Sequence, residues 1–262
     1  MRKPPSAYIS RGNLRCEIQV AFMGNTGEIY WWNSFDVNTA LFFNQFAGRH
    51  PWLDLIVGSA DMMPLVKGGM IVLLIWFVLF ERNRPGQLRD GFELLIGAVF
   101  ISAFATIAAR GLALCLPFRT RPYVTPALHF QLPGGGRLDH FDWSSFPSDH
   151  AVMFFALATG ILMVSRKLGW FAIAWAALIV CIPRLYMGEH WPTDILAGAV
   201  IGVASSQLAR IPAFRGYVRR TITVWRQEHP GIFFAVLFLW SYEIVNLFGD
   251  VRHLLKMAAH SI

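Results

Sequence analysis

Long apolar runs separated by short polar stretches set the pattern of this chain. They fall at residues 62–80, 92–118, 150–164, 169–183, 195–209 and 231–248. A membrane-crossing helix needs about 20 apolar residues, and most of these runs meet or approach that length. The run at 150–164 is short but gains a turn if Pro147 opens the helix. Polar intruders are few: Lys67 near the start of the first run, Arg110 in the second, and Glu243 and Asn246 in the last. Residues 36–52 differ. Apolar side chains recur there at helical spacing with polar ones between, which predicts a helix lying at a membrane interface or packed on the bundle. Residues 1–35 carry no strong pattern. The expectation is an all-α polytopic membrane helical bundle with about six transmembrane helices and an interfacial N-terminal helix. Its parts are an N-terminal segment 1–60, a transmembrane domain 61–250 and a tail 251–262.

Composition agrees. Hydrophobic residues make up 55% and charged residues 15%, against roughly 25% charged in soluble domains. The net charge of +7 invites a nucleic-acid reading, but its distribution argues against one. Arg82, Arg84, Arg89, Arg166, Lys167, Arg210, Arg215, Arg219, Arg220 and Arg226 all fall on one side if the spans alternate. The other side has Arg119, Arg121, Arg137 and Arg184. The positive-inside rule places the crowded side in the cytoplasm. Cys16, Cys115 and Cys181 are read as buried free thiols with no disulfide framework, two of them in apolar runs. No apolar segment follows the basic N-terminus closely, so no cleaved signal peptide is expected.

The sparse side holds the chemistry, in "FRTRPY" (118–123), "FPSDHA" (146–151) and "PRLYMGEHWPTD" (183–194). Alternating spans bring all three to one membrane surface. Pro192 suits the first turn of a helix. His190 then stands at the helix entrance, with Asp194 four residues on and on the same face. A carboxylate beside an imidazole fixes its tautomer, although the same pair also serves as a plain helix cap. Ser148 and Pro147 read as a helix start, where free backbone N–H groups attract anions. Ser and Asp are favoured at such a start in any case. Arg119, Arg121 and Arg184 suit phosphate binding through paired hydrogen bonds, or simple contact with headgroups.

In this order and at these boundaries, R-x-R-P, P-S-x-H and R-x5-H-x3-D resemble the type 2 phosphatidic acid phosphatase superfamily of membrane lipid phosphatases. Residues 110–200 carry the resemblance, and "FPSDHA" looks most like the undecaprenyl-diphosphate phosphatase branch. The resemblance implies that His190 attacks phosphorus to form a phosphohistidine and that Asp194 orients it. It implies that His150 protonates the leaving oxygen and later activates water. Arg121, Arg184, Ser148 and Asp149 would surround the phosphoryl group, with Arg119 an extra contact. It implies no metal and no cofactor.

Three positions depart from the family pattern: Leu114 where a lysine belongs, Pro183 where a serine precedes the arginine, and Asp149 in place of glycine. Arg110, one turn before position 114, is a candidate substitute for the lysine. A carboxylate at 149 repels an anion unless it points away or pairs with an arginine. Asp139, His140 and Asp142 read as a polar loop rather than a metal cluster, and the glycines at 134–136 as a turn. Gly198 and Gly202 predict close helix packing, with dimerisation as the alternative. The implied partner is a lipid phosphate or diphosphate in the membrane, with undecaprenyl diphosphate first and phosphatidic acid, phosphatidylglycerophosphate or lipid A behind it. A phosphotransferase or a non-catalytic transporter or scaffold are the other readings. The sequence is silent on oligomeric state.

Overall fold

The computed structural model describes residues 33–81, 91–133, 143–249 and 257. Among these the secondary structure is helical throughout: α1 (Ser34–Asn44), α2 (Pro51–Met62), α3 (Met70–Glu81), α4 (Phe92–Cys115), α5 (Asp149–Val164), α6 (Arg166–Trp175), α7 (Ile182–Tyr186), α8 (Pro192–Ser206), α9 (Pro212–Glu228) and α10 (Pro230–Val245). A π turn at Leu65–Gly69 leads into α3, and another at Ala176–Cys181 joins α6 to α7. Each of the six apolar runs lies on helical backbone.

By length and apolarity, Phe92–Cys115 and Arg166–Tyr186 each suffice to cross a membrane. Two further candidates are bent pairs, Pro51–Met62 with Leu65–Glu81 at 69° and Pro192–Arg210 with Pro212–Glu228 at 72°. Helices α5 and α10 are shorter than a span.

The short helix α5 is the centre of the bundle. Val152, Met153, Phe154, Leu157 and Ile161 are all essentially buried, and α4, α6 and α8 pack around it. At about 1.5 Å per residue its 16 residues cover about 24 Å, less than the hydrocarbon thickness. A helix enclosed by its neighbours has no need to match the bilayer. Gly198 and Gly202 account for the tightest of these contacts. A Cβ at Gly198 would come within 2.5 Å of the Ser148 carbonyl oxygen, and one at Gly202 within 2.4 Å of that of Val152. The pair therefore lets α8 cross α5 backbone to backbone, which is the intramolecular packing expected of it.

Three expectations need correction. Cys115, expected to be buried, is exposed near the end of α4, whereas Cys181 is buried. The helix predicted over 36–52 is two helices, broken at Gly48 (φ +74°) and restarted at Pro51. Its first half packs against α7 and α8, and Asp36 is fully buried. The arginine-rich stretch after the fifth run is not a loop but helix α9. Val218 and Ile222 of α9, four residues apart, reach the main core, while Arg219 and Arg220 face outward. Trp31, Trp32, His253, His260, Cys16, Arg137 and the 82–90 stretch lie outside the described residues. So do the glycines at 134–136 and the Asp139–His140–Asp142 group.

Candidate active site

Backbone hydrogen bonds weld the three polar stretches together at one end of α5. Ser145 N–H donates to the Arg119 carbonyl at 2.9 Å, and Ser148 N–H to the Asp194 carbonyl at 3.1 Å. The Trp191 indole donates to the Thr120 carbonyl at 2.7 Å. Between α7 and α8 the chain turns through Gly188, whose φ of +70° suits glycine. A Cβ there would also strike the Phe130 ring at 2.6 Å. This turn lifts Glu189 and His190 over the start of α5.

His190 is only 2% exposed. It does stand just before α8, but it is buried in the polar cluster rather than at an open water interface. Its Nδ1 lies 2.9 Å from the Ser145 carbonyl oxygen and 3.7 Å from Asp194 Oδ2. A carbonyl can only accept, so Nδ1 carries the proton and Nε2 keeps its lone pair. Among the described residues Nε2 makes no hydrogen bond. Ser145 therefore does the nearer orienting, and Asp194 acts through its charge. Asp194 itself caps α8, accepting from Trp191 N–H at 2.8 Å and from Arg119 Nη1 at 2.5 Å. Burial pushes the His190 pKa below its ordinary value of 6.5, with Asp194 opposing and the Arg121 charge adding to the shift.

His150 is held on both sides. Nδ1 lies 3.0 Å from Asp149 Oδ1, and Nε2 lies 2.8 Å from Arg184 Nη2. A guanidinium only donates, so Nε2 accepts and Nδ1 donates to the carboxylate. Asp149 pairs in turn with Arg110, through Nε at 3.2 Å and through Nη2. The carboxylate that replaces the family glycine is thus matched by the arginine one turn before position 114. Leu114 itself is 74% exposed on the flank of α4.

The arginines divide by role. Arg184, 6% exposed, pairs with Asp61 at 3.0 Å and with Glu189, and reaches His150 with its remaining nitrogen. Arg121, 5% exposed, donates to the Glu189 carbonyl at 2.7 Å. Burial pulls its pKa from 12.5 down to about 10, the nearby Asp149 charge opposing, which leaves it charged at neutral pH. Arg119 is set apart from the histidines. It bridges Asp36 Oδ2 at 2.6 Å, Thr193 Oγ1 at 2.8 Å and Asp194, and clips α1 to the start of α8. Ser148 is fully buried and caps α5, accepting from Ala151 N–H at 3.5 Å. The structure thus brings Arg121, Ser148, Asp149, His150, Arg184, His190 and Asp194 together. Sequence reasoning missed Asp36, Asp61, Ser145 and Glu189.

The pattern of the PAP2 superfamily matches residues 93–215. The bacitracin transport permease protein BcrC of Bacillus licheniformis is 34% identical over 176 residues, which is 66% of this chain and 78% of that protein. The chain belongs to the PAP2 superfamily. The matched region runs from α4 into α9 and includes every residue of the cluster except Asp36 and Asp61. The undecaprenyl-diphosphatase BcrC of Bacillus subtilis is 27% identical over 151 residues, 58% of this chain and 70% of that protein. The undecaprenyl-diphosphatase of Sulfolobus acidocaldarius is 38% identical over 125 residues, 48% of this chain and 54% of that protein. This PAP2 protein is a membrane phosphatase acting on a lipid phosphate.

Proposed function

We propose that the protein removes the terminal phosphate of a polyprenyl diphosphate, undecaprenyl diphosphate being the favoured substrate, through a phosphohistidine at His190. The observation that carries this reading is the state of His190. Its Nδ1 proton is committed to Ser145, so the Nε2 lone pair is available at neutral pH. Burial, which disfavours the charged imidazole, keeps it so. In the first step Nε2 bonds to the terminal phosphorus and the bond from phosphorus to the bridging oxygen breaks. The bridging oxygen keeps the electron pair and leaves on the lipid monophosphate. In the second step water attacks phosphorus, the N–P bond breaks, and inorganic phosphate departs. Arg121, Arg184 and the backbone at the start of α5 supply the positive field that such a transfer needs.

The protonation of His150 supports a diphosphate. Its Nε2 accepts from Arg184 and so carries no proton to give. A lipid alcohol needs a proton to leave. A phosphate, with a second pKa of about 6, leaves as an anion and needs only nearby cations. His150 in this state suits the second step, taking a proton from the attacking water. A phosphate monoester, as in phosphatidic acid, requires a protonated His150 and a displaced Arg184.

The finer architecture belongs to the same reading. Six spans, within a catalytic domain of 61–250, place the site on the outer face of a cytoplasmic or inner membrane. The alternation of arginines supports this, because α8 begins beside His190 and its last turn runs into Arg210. The test is phosphate release by the detergent-purified chain from farnesyl diphosphate, phosphatidic acid and phosphatidylglycerophosphate, with chelator present. Release from the diphosphate above the other two is expected. Turnover of phosphatidic acid alone would contradict the substrate reading.

A further inference from the structure

Lys67 stands in the π turn Leu65–Gly69 that opens the second arm of a bent pair, just after the chain turns by 69° at Met63 and Pro64. Contacts on either side of Lys67 fix it to the active site. Before it, Asp61 pairs with Arg184, which in turn reaches His150. After it, Gly68 lies so near α5 that a Cβ would come within 3.3 Å of Phe154 Cε1. Phe154 is one turn along α5 from His150, their ring centroids 6.4 Å apart. From a third direction the Trp175 indole donates to the Val66 carbonyl at 3.2 Å. A residue clamped between Asp61 and Gly68 is delivered to the His150–Arg184 corner of the cluster.

The Lys67 ammonium interacts electrostatically with Arg184, Asp61, Asp149 and His150. Of the carboxylates of that group, Asp61 lies in ion-pair range of Arg184, its Oδ1 making no hydrogen bond to a described residue, and Asp149 pairs with Arg110. Among the described residues the Lys67 side chain forms no hydrogen bond or ion pair. A half-buried cation next to a second cation is unfavourable unless an anion completes the set. Its charged neighbours Arg184 and Asp149 are also those of His150. His190 shares Asp149 with them and is otherwise bordered by Ser145, Asp194 and Arg121.

We infer that Lys67 binds the lipid-side phosphate of a diphosphate substrate and thereby sets a preference for diphosphates over phosphate monoesters. This rests on the lipid-phosphatase reading above. When the bond from the terminal phosphorus to the bridging oxygen breaks, its electron pair stays on that oxygen. The departing lipid phosphate gains a negative charge beside the ammonium, and no proton is required. A monoester leaves as an alcohol and offers Lys67 no phosphate.

The test compares farnesyl diphosphate with farnesyl monophosphate, which share a tail, using the full-length chain and the variants Lys67→Met and Lys67→Arg. Lys67→Met is expected to lower kcat/KM for the diphosphate roughly tenfold to a hundredfold, the range for a hydrogen bond to a charged group. The monophosphate should change less than about threefold, and Lys67→Arg should restore most of the diphosphate rate. The ratio of the two substrates does not depend on how much protein folds. Should Lys67→Met yield no folded protein, Lys67→Gln carries the same comparison. Equal losses on both substrates, or no loss on the diphosphate, would overturn the inference alone. A wild-type chain inactive on both substrates would overturn the phosphatase reading, and the inference with it.

Discussion

Arginines gather at two ends of this molecule, and the two gatherings behave differently. At the end of α5 that carries the histidines, Arg121 and Arg184 are buried and Arg119 nearly so, and each is tied to named partners. At the far end of α8, Arg210, Arg215 and Arg219 line an open groove of about 320 Å³ with Glu93. There the Arg215–Glu93 contact is 2.9 Å, much the same as those at the buried end, yet the arginine side chain is 34% exposed. Similar distances therefore carry different energies. Removing one partner of a buried ion pair costs about 3–5 kcal/mol, because the other charge is stranded without water. A pair with one partner open to water is worth less, although the Glu93 carboxylate of this one is itself buried. The first end fixes its side chains, as chemistry at phosphorus requires. The second leaves its arginines partly open to their surroundings.

Replacing His190 should have the largest effect. His190→Ala is expected to lower phosphate release at least ~10⁴-fold, the scale on which loss of a nucleophile acts. Retained turnover would move the nucleophile elsewhere. Next comes Asp36→Ala, which removes one of the two carboxylates that pair with Arg119 among the described residues. Thermal unfolding in detergent should register a loss of about 3–5 kcal/mol. A change within 1 kcal/mol would put this end on the same footing as the other.

The pH dependence is the third test. Burial holds His190 below 6.5, so the nucleophile stays unprotonated as pH falls through 6.5. The acid limb of kcat/KM should lie below that value, and Asp194→Asn should lower it further by removing the opposing charge. A limb centred at or above 6.5 would contradict the assignment. Stability follows the same sign. Below 6.5 the unfolded chain binds a proton that the folded chain refuses, so this contribution is complete above 6.5 and is lost as pH falls. Two small effects complete the series. Arg219→Ala, on the exposed face of α9, should change stability by about 1 kcal/mol or less and leave turnover unaltered. Leu114→Lys, on the exposed flank of α4, should leave the substrate preference unchanged, where Lys67→Met should not.

Much of the buried end was legible because its chemistry demands particular residue types at helix starts. His150, Ser148, His190 and Asp194 sit where a proline opens or precedes a helix, and that signal is local. Their supports were not legible. Asp36 reaches Arg119 across 83 residues of chain, and nothing in the sequence near either one names the other. Ser145 orients His190 through its backbone carbonyl, which any residue would supply. Asp149 was legible only as a conflict. Its resolution by Arg110 was foreseeable from the rule that a buried carboxylate near an anion needs a cation. The break in the 36–52 helix had a signal, Gly48 followed by Pro51, outweighed by the apolar periodicity on either side. Helix α9 was obscured by its arginines, although Val218 and Ile222 already marked an inward face. Span number is hardest to read, since hydropathy counts apolar residues and does not distinguish a lipid-facing helix from the buried α5.

The central claim is that His190 Nε2 takes the phosphoryl group. The direct measurement is rapid-quench trapping with farnesyl diphosphate radiolabelled at its terminal phosphate, followed by digestion and peptide mapping. An acid-labile, alkali-stable label is expected on the peptide containing His190, present during turnover and absent from His190→Ala. Label on another residue would contradict it, as would full turnover with no labelled protein at any quench time.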